Sequence, residues 1–291
     1  MPPALMPPKP KMSVVHALAT AMLAFGLCAP ARAADPPRRI VSFNVCADQL
    51  AVALADPGQI AALSPYAADP ALSTVAEKAR AFARVGWSAE SIVPLAPDLV
   101  LVGPSDRSLT QHMLRALGFR LTVVDLISDI AGGLAQIREV AALVGHPERA
   151  AALEADIASA RRRLADARRP GGSTALLVGH GGYTVGPASL AAALLVEAGF
   201  TPPPGAPSGY GGFVPLERLV ALRPDFLVME SPVETPDGQG ALYLAHPALQ
   251  ALYPPQRRIV LPNRYTLCGG PSLIAAFDYL ANAMARIAGK L

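Results

Sequence analysis

The sequence predicts an α/β protein of two lobes, each built on a central parallel sheet, joined by a single long α-helix, with a ligand cleft between the lobes. Three observations carry this prediction. Short, wholly apolar runs such as Leu99–Val102 and Phe226–Met229 alternate with helical stretches, the pattern of parallel strands covered on both faces. A long helical stretch over residues 147–169 stands near the middle of the chain. A twelve-residue motif on one side of it recurs on the other.

The chain has 291 residues, 52% hydrophobic and 16% charged, enough for two lobes with a sizeable core. Its formal charge of +3 resides in the first 33 residues, where Lys9, Lys11 and Arg32 stand without an acid. The remainder is electrically balanced, which gives no reason to expect nucleic acid as a partner. The same 33 residues read as a signal peptide. Two lysines precede an apolar run over residues 14–27, and Ala31-Arg32-Ala33 is an A-x-A site, so cleavage is expected after Ala33 and the mature protein in the periplasm. The run is too short to span a bilayer comfortably. Cys28 raises the alternative of a lipid anchor, but Phe25-Gly26-Leu27 puts a large residue before it where a small one is needed. In the mature chain Cys46 and Cys268 remain, near opposite ends, in an oxidising compartment.

In order along the chain, residues 39–43 read as a first strand opening into the polar loop Asn44-Val45-Cys46. A helix over 47–54 stops at Asp56-Pro57-Gly58. Residues 60–63 form a second strand ending at Ser64-Pro65-Tyr66. A short helix over 90–95 turns through Pro97-Asp98 into the strand 99–102, followed by Gly103-Pro104-Ser105. A helix over 109–117, the strand 121–124 and a helix over 129–144 closed by Gly145 complete the first half. The grammar restarts with the strand 174–178, which ends in Gly179-His180-Gly181-Gly182-Tyr183. A helix over 189–198, a Pro- and Gly-rich loop over 201–212, a helix over 216–222, the strands 226–229 and 258–261, and a last helix over 272–288 follow. The divisions are thus a signal peptide over 1–33, an N-terminal lobe over 38–128, a helix pair over 129–169 and a C-terminal lobe over 170–291.

The central stretch places Leu153, Ile157, Ala160 and Leu164 on one helical stripe. Pro147 suits its first turn, and Pro170-Gly171-Gly172 stops it. At about 1.5 Å per residue it is roughly 34 Å long. Periodicity alone would make it an ordinary amphipathic surface helix. Its position between two copies of one motif makes it a strut: Glu90-Ser-Ile-Val-Pro-Leu-Ala-Pro-Asp-Leu-Val-Leu matches Glu217-Arg-Leu-Val-Ala-Leu-Arg-Pro-Asp-Phe-Leu-Val, 127 positions on. A helical strut resists wide hinge closure, so a modest opening angle is expected. Ligands of parallel sheets sit outside the carboxyl ends of the strands, which selects residues 42–46, 65–66, 103–104, 179–183, 230–231 and 264–270.

With these motifs in view, RRIVSFN, VGWSAESIVPLAPDLVLV, the central helix and VPLERLVALRPDFLVM, the sequence resembles the periplasmic binding proteins of ATP-driven importers for cobalamin, ferric siderophores and haem, over essentially the whole mature chain. The resemblance implies two Rossmann-like lobes, a monomer with no cofactor of its own, and a metal chelate held between the lobes, a cobalamin-like corrinoid or a ferric siderophore. It implies delivery to a membrane permease, and through it to an ATPase, by one glutamate per lobe docking onto permease arginines; Glu90 and Glu217 match those positions. Both are also helix-initial acids favoured by the dipole. Candidate ligand contacts are Asn44, Cys46, Tyr66, Trp87, Tyr183, Phe213, Arg264, Tyr265 and Cys268, with Arg84 and Arg107 as further cations for an anionic siderophore. For Cys46 and Cys268 three readings stand: a disulfide between the lobes, two buried thiols, or soft ligands to a metal complex.

Haem, with Tyr66, Tyr183 or His180 as axial ligand, is an alternative cargo, and bare zinc or manganese another. Four histidines of the mature chain, His112, His146, His180 and His246, are scattered. An enzyme of the chelatase or nitrogenase-component kind shares paired α/β lobes, but the export signal argues against it. The sequence holds no H-E-x-x-H, G-x-S-x-G or G-x-x-x-x-G-K. The Gly179–Gly182 loop fails as a phosphate cradle because Thr184 stands where G-x-G-x-x-G needs its third glycine.

Overall fold

The computed structural model describes residues 35–168, 172–230 and 239–289. The signal peptide, its cleavage site and Cys28 lie outside these residues, as do Arg169, Pro170, Gly171 and Ser231. The described residues from Pro36 onward form one compact unit.

The N-terminal sheet is parallel throughout, in the order β2 (Ile60–Ala62), β1 (Ile40–Ser42), β3 (Leu99–Val102), β4 (Leu121–Val123). The apolar runs form inner strands because both their faces are covered. In β3, Leu99 and Leu101 enter the central core, while Val100 and Val102 pack outward against Val41, Phe43, Ile92 and Leu114. The C-terminal sheet repeats this with β5 (Ala175–Leu177), β8 (Phe226–Met229) and β9 (Arg258–Val260), again parallel. Ala175, Leu177 and Val228 face the central core, and Leu176, Leu227 and Met229 face Leu219, Leu249 and Tyr253.

The central core runs through both halves. It is filled by α1 (Val45–Leu54), α5 (Ile130–Val144), α6 (Pro147–Ala167), α7 (Leu190–Glu197) and α11 (Ser272–Ile287). The predicted strut is α6: Ile157, Ala160 and Leu164 are buried, and Leu153 packs partly buried beside them. Burying one apolar stripe while leaving the arginines outside is what a 3.6-residue period dictates. Three surface ion pairs line its sides, Arg138–Glu154, Arg161–Glu197 and Arg163–Asp278. At its start, Arg149 donates to Leu54 O at 2.9 Å and pairs with Asp56, so α6 is moored to the C-terminal end of α1.

The helices α3 (Ala89–Ile92), α4 (Ser108–Ala116) and α8 (Leu216–Leu222) and the turn at Gly145 fall where the sequence places them. Sequence reading missed three short helices, α2 (Ala76–Ala79), α9 (Gln239–Ala245) and α10 (Pro247–Leu252). It also missed an antiparallel ribbon of β6 (Tyr183–Val185) and β7 (Gly211–Phe213) inside the span read as loop and turn. The ribbon depends on close backbone approach: a Cβ on Gly211, whose φ is +118°, would stand 2.1 Å from Thr184 O.

Candidate ligand cleft

At the carboxyl end of β1 the backbone of Asn44 is extended, and its side-chain Oδ1 caps α1 by accepting from the backbone N–H of Cys46 at 2.8 Å and Ala47 at 3.3 Å. Its Nδ2 donates to Asp106 Oδ2. Gly103 makes that pairing possible, because a Cβ there would lie 2.3 Å from Asp106 Oδ2 and 2.7 Å from Asn44 Nδ2. One residue past Asp106, Arg107 takes a left-handed backbone (φ 46°) and lays its guanidinium over the Trp87 ring, 5.1 Å from the centroid.

Trp87 is held from three further directions. Phe43 meets it edge-on at 5.2 Å, Tyr66 lies tilted at 5.1 Å, and the Thr110 hydroxyl donates to its carbonyl at 3.1 Å. Together Asn44, Tyr66, Trp87, Asp106 and Arg107, with Leu267 reaching in from the other half of the chain, line a cavity of about 280 Å³. The wall is aromatic, with one carboxylate and one guanidinium at its edge.

Of the predicted contacts, Asn44, Tyr66 and Trp87 thus come together, and Tyr66 remains 45% exposed. Tyr183 and Phe213 form a separate pair on the ribbon, cross-strand neighbours with ring centroids 5.4 Å apart, 40% and 75% exposed. Arg264 and Tyr265 do not join either group. Arg264 donates to Pro70 O at 3.1 Å and to the Tyr265 hydroxyl at 3.1 Å, and Tyr265 stacks at 5.0 Å on Tyr279 of α11. Arg264 fastens the two halves together and Tyr265 packs within the C-terminal half, and neither lines the cavity. Arg84 donates to Phe82 O at 2.6 Å and does not line the cavity. Asp106 was missed by sequence reading; the signal was its place directly after the strand-end segment Gly103-Pro104-Ser105.

Cys46 and Cys268 are joined in a disulfide, Cα atoms 5.2 Å apart. Of the three readings open from sequence the structure has the first, and neither sulfur is available as a thiolate ligand while the bond is intact. The Gly179–Gly182 segment is a tight turn, with Gly181 and Gly182 at positive φ, that leads into β6 and not into a helix. It lacks the helix N-terminus a phosphate cradle needs. Among the described residues no group of three or more His, Cys, Asp or Glu side chains gathers to hold a metal ion, and no helix is long and apolar enough to cross a membrane. A larger cavity, about 440 Å³, lies behind β5 between α5 and α7. Its lining is mostly apolar, and at its edge Arg161 and Glu197 are spent on each other.

Glu90 and Glu217 occupy the same place in each half, the second residue of α3 and of α8, both exposed. The Ser88 side chain and Glu90's own backbone N–H hold the Glu90 carboxyl below the usual carboxylate range. Glu217 lies near enough to Tyr243 for its charge to add to burial in pushing that phenol up to about 12.

Two parallel sheets on either side of a long helix, with strand ends opening on an aromatic wall, define the class of two-lobed solute-binding proteins. The chain belongs to the periplasmic binding protein family, whose model matches residues 40–251. No curated protein matches it. Among solved structures it is similar to the periplasmic heme-binding protein RhuT from Roseiflexus sp. RS-1 in apo form, with 26% identity and a TM-score of 0.67 over 86% of this chain and 99% of that one. It is similar in fold to a periplasmic heme binding protein from Pseudomonas aeruginosa, with 22% identity and a TM-score of 0.64 over 85% and 92%. The vitamin B12 binding protein BtuF of Vibrio cholerae shares the fold at 17% identity and a TM-score of 0.64, over 88% and 99%.

Proposed function

We propose that this protein is the periplasmic solute-binding component of an ABC importer, capturing a metal chelate between its lobes and delivering it to the membrane permease. The observation that carries this reading is the wall made by Tyr66, Trp87 and Arg107 at the strand ends of the N-terminal half. A conjugated macrocycle presents a broad π face to such a wall, and its peripheral amides or carboxylates reach the polar edge formed by Asn44, Asp106 and Arg107. At about 280 Å³ the cavity is smaller than the usual range for ligand pockets. It serves as a half-site, with Tyr183 and Phe213 on the ribbon as the opposing aromatic pair. A corrinoid fits this description ahead of a catecholate siderophore, which would demand more than one free guanidinium. The chelate is cargo, and the chain supplies only grip and orientation.

Haem is the second reading. It is favoured by two exposed phenols at strand ends, Tyr66 and Tyr183, either of which could ligate iron, and by the similarity to RhuT. The chain carries one tryptophan, so quenching of Trp87 emission reports directly on the wall. Titration with cyanocobalamin, haemin, a ferric catecholate and zinc separates the readings. Saturable quenching by a chelate supports the proposal, and binding of bare zinc with none of the chelates overturns it. Glu90 and Glu217 are proposed as the permease contacts, one from each half. Cleavage after Ala33 is proposed as well, and the intact mass of the protein recovered from the periplasm tests it.

A further inference from the structure

The disulfide joins the first turn of α1 to the segment between β9 and α11, across 222 positions of sequence. That segment, residues 263–270, leaves its own sheet and lies against the N-terminal half. Arg264 donates to Pro70 O at 3.1 Å. A Cβ on Gly270 would stand 2.9 Å from Leu50 Cδ2 of α1, and one on Gly269 only 1.5 Å from Ile127 Cδ1. From the other side, a Cβ on Gly133 of α5 would meet Gly269 O at 2.9 Å. The segment therefore fills a slot between α1 and α5 that admits no side chain at Gly269. Cys268, beside it, is 1% exposed. Leu267, the next residue, lines the cavity of Tyr66, Trp87 and Arg107.

We infer that the Cys46–Cys268 disulfide is a staple across the floor of the cleft, which holds Leu267 in the cavity wall and keeps the two halves at one spacing whether or not cargo is bound. The reasoning is mechanical. A lobe attached through one helix can pivot about that attachment. Here the C-terminal half is tied covalently to the N-terminal half twice, through α6 and through the disulfide, over and above the core that the halves share. The N-terminal anchor of α6 is Leu54 O at the end of α1, and that of the disulfide is Cys46 at its beginning. Eight residues of helix set these anchors about 12 Å apart, so opening by rotation across α1 would require breaking one of them. Without the bond, residues 263–270 keep the Tyr265–Tyr279 stack within their own half, and only the Arg264 hydrogen bond and the packing of Gly269 and Gly270 hold them to the N-terminal half.

The importance of a fixed spacing for cargo rests on the cleft reading above; the staple itself is tested without cargo. The test uses the folded protein with Cys28→Ser, so that only the two cysteines of interest are counted. Dithiothreitol supplies two electrons and two protons, opens the bond to two thiols and becomes its own cyclic disulfide. The oxidised protein is expected to show no free thiol after denaturation. On reduction, amide exchange in residues 263–270 is expected to rise at least tenfold and acrylamide quenching of Trp87 at least twofold, with exchange in α5 and α6 unchanged. The Cys46→Ser, Cys268→Ser chain should behave like the reduced protein, and reduction of the unmutated pair decides the matter if that chain fails to fold. Two free thiols in the oxidised protein, unchanged exchange in 263–270, or an equal rise in α5 and α6 would each overturn the inference.

Discussion

Ala96 and Arg223 adopt one and the same left-handed backbone conformation, φ 43° and ψ 54°, at matching points of the two halves. Each ends a short helical turn and precedes Pro-Asp. The aspartate then reaches back to the residue before the first strand of its sheet. Asp98 accepts from the backbone N–H of Arg38 at 2.7 Å and Arg39 at 2.9 Å, and Asp225 accepts from Thr174 N at 2.8 Å. The motif is therefore a connector that stops a helix, turns the chain and pins a neighbouring strand. Left-handed backbone costs a side-chain-bearing residue about 1 kcal/mol, and glycine is the usual occupant. Ala96→Gly and Arg223→Gly are each expected to raise the melting temperature by roughly 2–4 °C, on the order of 1 kcal/mol. Asp98→Ala should lower it by a similar amount. A fall in melting temperature with either glycine would show that the side chain, not the backbone, sets the connector.

The repeat was legible because its parts are local: a proline that ends a helix, an aspartate that shapes a turn, a strand apolar on both faces. The strut was legible from the period of Leu153, Ile157, Ala160 and Leu164. The ribbon was not, because Gly211-Gly212 carry no strand signal and are held by pairing with Val185 and Thr184 across the chain. The site was half legible. Strand-end position selects Asn44 and Tyr66, which line the cavity, and equally selects Arg264 and Tyr265, whose side chains meet Pro70 and Tyr279 instead. Proximity of Cys46 and Cys268 could be suspected from their loops, yet only three-dimensional packing decides that residues 263–270 cross to α1.

Asp48 gives the protein a pH dependence of unusual sign. Its carboxyl is wholly buried on α1, accepting from Ser64 N at 3.0 Å and the Ser64 hydroxyl at 2.6 Å. Burial pushes its pKa up from 3.8 to about 6, against the lowering pull of Ser64, Ser42 and the Arg84 charge. The folded protein thus keeps this proton at pH values where the unfolded chain has released it. Between about pH 4 and 6 the folded state binds more protons, so stability from this group falls as pH rises through that window, then levels off. The loss is on the order of 2–3 kcal/mol. Asp48→Asn should remove it, so the variant gains on the parent as pH rises from 4 to 7 in urea melts. Parallel stability profiles for the two chains would refute the assignment.

The paired glutamates predict an uptake defect without a binding defect. Glu90 and Glu217 are exposed, and neither lines the cavity. On the proposed docking role, reversing both charges, Glu90→Lys with Glu217→Lys, would replace two attractions to permease cations by two repulsions, and like-charge contact at an interface costs several kcal/mol. Uptake by cells that rely on this protein is expected to fall by tenfold or more, with chelate affinity of the purified protein unchanged. Each single reversal should give an intermediate loss. Normal uptake by the double variant would leave the two acids only their place in the first turn of a helix, where the dipole favours them.

The last prediction concerns how the wall divides its work. Trp87 supplies a flat apolar face, and Arg107 lies on it with its charge directed to the cavity edge. Stacking on one aromatic ring contributes about 0.5–1.5 kcal/mol beyond area burial, and losing the ring also removes the platform for the guanidinium. Trp87→Ala is expected to weaken cyanocobalamin binding by roughly ten- to thirtyfold, about 1.4–2 kcal/mol, read by calorimetry because the fluorophore is gone. Arg107→Ala should cost less for this uncharged amide-rimmed ligand than for haemin, whose carboxylates would meet the guanidinium directly. Tyr66→Phe keeps the ring and removes the hydroxyl. It should leave cyanocobalamin affinity unchanged and alter the visible spectrum of bound haemin only if that oxygen ligates iron. The two ligands thus probe different atoms of one wall. If Trp87→Ala left both affinities intact, the cluster would be packing beneath the cleft and the cargo would be gripped by the ribbon alone.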